Sequence, residues 1–487
     1  MIPAGAPAEN ARGGVRRVLA SRLLNGVGAN AYGQAVTLAV QFGTVPMLLS
    51  AWGAQTFGLW LVISAVPSYL ALADMGFSTA AANDMTLATA RGARDETVAT
   101  FQSVLALNAL IALAVVSVAS LVICLLPSSV LPQTALVGSG QVRLVWILQT
   151  LQVTATLACG VFSGGFQSSG HYALGNVLSS TARLLESVAL VVGAMLFHGL
   201  APAAAGMLGV RLAALAGMAG ILSSVAPWLH LGFAQARLAH VRRLAGPALA
   251  VMALPAATAV SLQGFVVMIG TILSLDAVAT FSSVRTLTRG VIQCGAIVNH
   301  AIMPEMTRAF GMRDFVRVKR LIDLNLVIVV LITLACFVCL AVLGPWIFAE
   351  WTLGRITPDP LLIIGLAAVA CLYSFWQSQS NLVLAVNRHS GYSYWFLIVC
   401  VATLLAAVVP TKLFGVNGTI VPMLAGECVM LFVVWRTFRK TFGDSTATAR
   451  FSQDPLKGQE QQCEPRANTD AQIDTGLKTQ RWRRRLH

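Results

Sequence analysis

Arg285 and Arg289 stand four residues apart in a stretch that is otherwise apolar or hydroxylic. Four residues is about one turn of an α-helix, so both fall on one face. Arginine stays charged at physiological pH, and its planar fork donates two parallel hydrogen bonds to a carboxylate or phosphate. Arg183 and Arg211 also interrupt apolar stretches. The chemistry open to such a set is binding of an anion, from the protein or from a cargo. No acid lies near Arg285 and Arg289 in their own segment. Glu186 lies one turn from Arg183, and Arg211 could pair with it, so a structural ion pair is the competing reading there. Glu427, in Gly426-Glu427-Cys428, is either an ion-pair partner for an arginine or a protonatable coupling group. Asp74 is expected near the end of a segment, where headgroup water can reach it, and His300 is either a titrating group or a hydrogen-bonded core histidine.

Polar uncharged residues make a second pattern. Asn30, Gln34, Thr37, Gln41 and Thr44 are spaced by 4, 3, 4 and 3, so one helix face carries them all. Unpaired amides facing lipid are costly. The stripe must therefore face a water-filled cleft or hydrogen-bond another helix. Tyr373, Gln377 and Asn381 form a shorter stripe of the same kind.

The elements that position these residues follow from composition. The chain has 487 residues, 56% hydrophobic and 11% charged, against roughly 25% charged in a soluble domain. Mean hydropathy is +0.74. This excludes a soluble enzyme, a disordered protein and a disulfide-stapled secreted domain. The net charge of +14 on so apolar a chain marks membrane topology rather than nucleic-acid binding. No charge occurs from Leu23 to Ala73, from Thr97 to Val142 or from Leu244 to Leu275. An ionised side chain at mid-bilayer costs at least ~2.5–3.5 kcal/mol, so such gaps read as lipid-embedded helices. With about 20 apolar residues per crossing, the predicted spans are 24–49, 56–80, 101–126, 143–168, 172–197, 203–225, 246–273, 279–303, 322–347, 361–386, 392–414 and 416–437. A break at Ser50–Gln55 separates the first two.

Connections after odd-numbered spans carry 3 Lys or Arg, and those after even-numbered spans carry 11. The positive-inside rule then predicts a multi-pass inner-membrane protein with both termini in the cytoplasm. The predicted organisation is a cytoplasmic segment 1–21, a six-helix lobe 22–225, a cytoplasmic linker 226–245, a second six-helix lobe 246–438 and a disordered cytoplasmic tail 439–487. The basic start reads as the flank of an uncleaved first span. The tail's Arg481-Trp482-Arg483-Arg484-Arg485 could touch anionic headgroups or be a solvated end. Cys336 and Cys339 have redox spacing but sit in an apolar helix, where packing is the better reading. No zinc constellation is present, and no metal or organic cofactor is expected.

Two connections read alike. Asp84-Met85-Thr86 is followed by Ala90-Arg91-Gly92-Ala93-Arg94-Asp95, and Glu305-Met306-Thr307 by Ala309-Phe310-Gly311-Met312-Arg313-Asp314. The first follows span 2 and the second span 8. A duplication would relate two six-helix lobes by an axis along the membrane normal and leave a central cleft between them. The expected fold is thus an all-α polytopic membrane protein of about twelve transmembrane helices in two such lobes.

Phe57-Gly58-Leu59-Trp60, with Tyr69-Leu70-Ala71-Leu72-Ala73-Asp74-Met75-Gly76-Phe77, resembles the second-helix signature of polysaccharide (O-antigen type) flippases. These belong to the multidrug/oligosaccharidyl-lipid/polysaccharide exporter superfamily. Phe281-Ser282-Ser283-Val284-Arg285-Thr286-Leu287-Thr288-Arg289 resembles its eighth-helix counterpart. The similarity runs over most of residues 20–440, with its distinctive motifs in these two helices. The resemblance implies two lobes forming a V, and export of an undecaprenyl-pyrophosphate-linked oligosaccharide by alternating access. It also implies proton or sodium coupling. A cationic cavity for the pyrophosphate would fit Arg285 and Arg289, with Arg183, Arg211, Asn30, Gln34 and Gln41 as further cleft candidates. Glu427, Glu186 and Asp74 are the candidates for coupling or ion pairing. Expected partners are the lipid-linked oligosaccharide, membrane lipids and other polysaccharide-assembly proteins, with no nucleic acid.

Two other functions compete. A drug or cation extrusion pump of the same superfamily needs carboxylates and aromatics, whereas here arginines outnumber acids in the spans. A membrane-embedded polymerase or acyltransferase needs acids, a histidine or arginines on a sizeable outer loop. The longest such loop, Pro127–Gln141, carries neither a charge nor a histidine.

Overall fold

The computed structural model describes residues 7–70, 72, 75–312, 314–385 and 390–452; Asp74, the tail from 453 and the His300 side chain lie outside the described residues. Twelve α-helices run in chain order: α1 (Pro7–Leu70), α2 (Met75–Ala90), α3 (Arg94–Leu125), α4 (Ser139–Ser168), α5 (Tyr172–Phe197) and α6 (Leu200–Val225), then α7 (Leu238–Ile272), α8 (Leu275–Gly311), α9 (Phe315–Trp351), α10 (Pro360–Ala385), α11 (Ser390–Phe414) and α12 (Ile420–Ser452). No strand occurs among the described residues. α1 is two helices in sequence. It breaks at Gly53, whose φ of 72° and ψ of 174° suit a residue without a Cβ, inside the break predicted at Ser50–Gln55. Residues 54–70 then lead into α2 and together make the second pass.

Nine stretches among the described residues are long and apolar enough to cross a membrane. Two of them, Asn25–Leu70 and Tyr394–Lys440, span 46 and 47 residues, enough for two passes each at about 20 residues per pass. α8 is absent from the nine because its charged residues dilute its apolar ones. Nine stretches, two additional passes and α8 make twelve. α7 begins at Leu238, within the stretch predicted as linker.

The two six-helix halves repeat one plan. In the first, α1 packs on α5, α2 on α3 and α4, α4 on α3 and α6, and α5 on α6. Each pairing recurs six helices later: α7 on α11, α8 on α9 and α10, α10 on α9 and α12, and α11 on α12. The repeated loop motif plays matching parts. Met85 and Met306 are fully buried, each in the core of its own half. The acid beside each stays at the surface and pairs with an arginine, Asp84 with Arg243 and Glu305 with Arg317, both at 2.7 Å.

The halves meet mainly through α1 on α8 and α2 on α7, a reciprocal pair under that repeat. At the end bearing the α5–α6, α7–α8 and α11–α12 turns, one apolar core runs through both halves. It joins Leu49, Phe57, Trp60 and Ile63 to Phe265, Ile269, Val278 and Phe281. There the indole N–H of Trp351 also donates to the Phe42 carbonyl at 2.8 Å. At the opposite, basic end the halves bury separate cores. The first turns of α7 cross over, with Leu244 and Ala248 packed in the first half's core. Arg243 holds them through Asp84 and Glu96, the latter at 2.6 Å. The molecule is therefore closed at one end and splayed toward the basic end.

Two glycines of the flippase-like signature make the close approaches. A Cβ on Gly58 would overlap the Leu275 carbonyl at the start of α8, and one on Gly76 the Ala248 carbonyl of α7. Both obstacles are backbone, so neither can swing aside. Alanine normally favours a helix over glycine by about 1 kcal/mol. Gly58→Ala and Gly76→Ala should nonetheless lower the melting temperature of the purified protein, by about 1–3 kcal/mol of stability. Gly43→Ala, with nothing within 4 Å, should leave it unchanged or raise it.

Candidate functional site

α8 presents two faces. Thr286 and Gly290 face α1, where the Gln41 amide donates to the Thr286 carbonyl at 3.1 Å and Phe42 lies against Gly290. Arg285, Thr288, Arg289 and Ile292 turn instead into the second half and line a cavity of about 60 Å³. Its other walls include Ser261 of α7, Tyr373 of α10, Phe396 of α11 and Glu427 of α12. The arginine pair thus lies within one lobe, not on the surface between the lobes, because the α1-facing stripe of α8 is offset from it by one residue.

Each charge in this cavity is handled differently. The Arg285 guanidinium donates to the Ser261 carbonyl at 2.9 Å and to the Ser261 hydroxyl at 3.0 Å. It lies 5.7 and 5.6 Å from the ring centres of Phe265 and Phe281, within reach of their electron-rich faces. The Glu427 carboxylate accepts from the Trp376 indole N–H at 2.6 Å. Trp376 packs edge-on to Tyr373 and Phe396, with ring centres 4.8 and 5.3 Å away. Arg289 forms no ion pair among the described residues. Two cations and one carboxylate therefore share a space from which most water is excluded, and a further anion is electrostatically favoured there. Ser261 and Trp376 escaped the sequence reading. Ser261 lies in a charge-free run without a polar stripe, and Trp376 looks like any apolar ring until Glu427 of a distant helix meets it.

The first half resolves its charges otherwise. Arg211 of α6 and Glu186 of α5 are both buried and form a two-point ion pair, with Arg211 Nε donating at 2.7 Å and a second bond from its terminal nitrogen. Gln152 of α4 donates to the same carboxylate at 2.7 Å. The pair pins three helices together and leaves little capacity for a visiting anion. Arg183 is exposed and donates to the Thr37 hydroxyl at 3.0 Å.

The polar stripe of α1 is largely a zipper to α5. Asn30 accepts from the Tyr172 hydroxyl at 3.0 Å and from the Asn176 amide at 2.7 Å, and Thr44 shares a hydrogen bond with Ser187 at 2.8 Å. Gln41 instead crosses to α8, and half-buried Gln34 has no hydrogen-bond partner among the described residues. Of the candidates read from sequence, Arg285, Arg289 and Glu427 come together. Arg211 and Glu186 satisfy each other, and Arg183 stands apart with Thr37. Asp74 lies outside the described residues.

No protein-family model matches the chain, and no curated protein does. Solved structures do. The lipid II flippase MurJ in an inward closed conformation is 12% identical, with a TM-score of 0.66 over 89% of this chain and 93% of that one. An inward-facing multidrug resistance MATE family transporter of the MOP superfamily is 15% identical, with a TM-score of 0.62 over 85% and 96%. The chain shares the fold of these transporters. An outward-facing MATE family transporter is 16% identical and gives a TM-score of 0.55 over 88% and 96%.

Removing one partner of a buried ion pair strands the other charge, at a cost of about 3–5 kcal/mol. Arg211→Met alone should lower the melting temperature sharply. Arg211→Met combined with Glu186→Gln, which preserves a partner for Gln152, should recover most of it. A double variant no more stable than the single one would show that the pair does more than neutralise itself.

Proposed function

We propose that the protein is an alternating-access flippase that carries an undecaprenyl-pyrophosphate-linked oligosaccharide across the bacterial inner membrane for surface polysaccharide assembly. The observation that carries this reading is the cavity where Arg285 and Arg289 outnumber Glu427 and Arg289 has no acid of its own. A guanidinium held in a low-dielectric site favours an anion, and its fork suits phosphate oxygens. The fold shared with the lipid II flippase MurJ supports the same class of cargo. In this reading the basic end and both termini face the cytoplasm, and the splayed state accepts cargo from the inner leaflet. The prenyl tail stays in lipid while the headgroup enters the polar interior, so membrane lipids are part of the path. Other polysaccharide-assembly proteins would supply and consume the cargo. Closure at the basic end and opening at the other must weaken the cation–phosphate contacts, with Glu427 as the group through which a proton or sodium gradient could act.

A second reading, extrusion of an organic cation, draws on Glu427 among Trp376, Tyr373 and Phe396, since a carboxylate framed by aromatic rings suits a cation. The two guanidinium groups on the same cavity oppose it.

Arg289→Ala should abolish surface polysaccharide, at least tenfold below wild type, while the protein still inserts in the membrane. Arg289→Lys should recover part of the export, because it keeps the charge and loses the fork. Full export by Arg289→Ala would sink the phosphate reading. Deleting the protein should strand lipid-linked sugar at the cytoplasmic leaflet. Heightened sensitivity to cationic dyes with normal lipid-linked sugar would instead favour the pump.

A further inference from the structure

A second cavity lies in the first half, where α2, α4 and α5 meet, and its volume is about 280 Å³. None of its lining residues is an acid, a base or a histidine. It is walled by the hydroxyls of serines and threonines, by the amides of Asn83, Gln167 and Asn176, and by Tyr172. We propose that this cavity binds an uncharged sugar residue of the cargo, next to the pyrophosphate. The proposal rests on the flippase reading and names the part of the substrate that this lobe recognises.

The chemistry of the wall carries the inference. A sugar hydroxyl both donates and accepts, and so do serine, threonine and tyrosine hydroxyls. An asparagine or glutamine amide offers two donors and a carbonyl. Charged groups would recognise an acidic or amino sugar, and the wall has none. Some of these groups are already oriented by neighbours. Ser163 and Ser179 share a hydrogen bond at 3.0 Å, and Tyr172 and Asn176 are held by Asn30. The Asn83 and Gln167 amides make no hydrogen bond with a described side chain or backbone group. Both amides stand at the basic end, where the cavity is open, and their donors and acceptors are available to a polar occupant.

Size and position agree. Ala82, Gly160, Gly164 and Gly175 on the wall leave the space unfilled. The cavity is many times the roughly 10–15 Å³ of such space that one water needs, so a hexose of about a dozen bonded heavy atoms fits once it displaces the water there. Tyr172, 45% exposed, and exposed Asn83 give a way in from the cleft. Tyr172, Asn176, Ser179 and Arg183 succeed one another on α5 at steps of 4, 3 and 4, so they share a face. Arg183 follows Ser179 by one turn, about 6 Å along the axis. The Arg183 guanidinium, bound to the Thr37 hydroxyl alone, is a further cation for the pyrophosphate beside a neutral hydroxyl-and-amide cavity, in the order of a sugar pyrophosphate, anion first and sugar next.

The test uses the full-length protein in lipid nanodiscs and two probes, undecaprenyl pyrophosphate and the same lipid carrying one N-acetylglucosamine, titrated by native mass spectrometry. Wild type should prefer the sugar-bearing lipid by about tenfold. Gln167→Leu, and separately Asn83→Leu, should erase that preference and leave the affinity for bare undecaprenyl pyrophosphate unchanged. Saturation-transfer NMR supplies a lipid-free arm with the methyl glycosides of glucose, galactose, mannose, rhamnose and N-acetylglucosamine. At least one should receive magnetisation from wild type and lose it in Gln167→Leu. Equal affinity for the two lipids together with no transfer to any glycoside overturns the sugar site. Transfer that persists undiminished in Gln167→Leu and Asn83→Leu places the sugar elsewhere and overturns it too. Glycoside transfer that depends on Gln167, with neither lipid bound, leaves the sugar site standing and removes the pyrophosphate-lipid reading beneath it.

Discussion

A guanidinium does not lose its charge at any pH a cell meets, and lipid does not tolerate a bare charge. Much of the interior of this molecule follows from where its arginines find compensation. Arg211 finds it in Glu186, with Gln152 as a third party, and the arrangement ties α4, α5 and α6 into one block. Arg285 finds it without an acid, in a serine's hydroxyl and carbonyl and in two aromatic rings. Arg183 finds it in a threonine hydroxyl and an exposed position. Arg289, beside Glu427 in a small cavity but not paired with it, has the least complete compensation of the four. The four arginines differ here in the completeness of their local neutralisation.

The duplicated frame makes this difference useful. Each half packs by the same helix pairings, and the two main contacts between halves, α1 on α8 and α2 on α7, are reciprocal. At the closed end those contacts are an apolar core with backbone in close contact at Gly58. At the basic end they include partly exposed ion pairs of Arg243 with Asp84 and Glu96, and exposed pairs contribute little stability, roughly 0–1 kcal/mol. The halves share one core at the closed end and keep separate cores at the basic end, where α7 crosses over, and the two cavities described lie one in each block.

Composition and charge spacing were enough for the membrane class, the helix number and the break near Gly53, because lipid penalises charge and unpaired backbone so strongly that a helical pass leaves an unmistakable run in the chain. The duplication was legible in one short motif, whose methionine and acid turned out to be a core residue and a surface ion-pair partner in both halves. Helical spacing also placed Arg285 and Arg289 on one face and the α1 stripe on another. Those inferences concern neighbours along a single helix, which a period of 3.6 residues determines locally.

What lies across from each face was not legible. The α1 stripe was equally compatible with water and with a partner helix, and only the packing of α5 decided for hydrogen bonding at Asn30, Thr37 and Thr44. The arginines of α8 were expected on the surface between the lobes. A one-residue offset turns them into the second half, where Ser261, Trp376 and Glu427 arrive from three other helices. The neutral cavity of the first half had no sequence signal, since serine, glycine and asparagine scattered over α2, α4 and α5 look like ordinary packing residues until the helices converge. The sequence by itself determined which groups cannot face lipid. The tertiary structure decided what each of them faces instead, because partners in a helical bundle are chosen by interhelical distance and rotation, to which no single helix's periodicity responds.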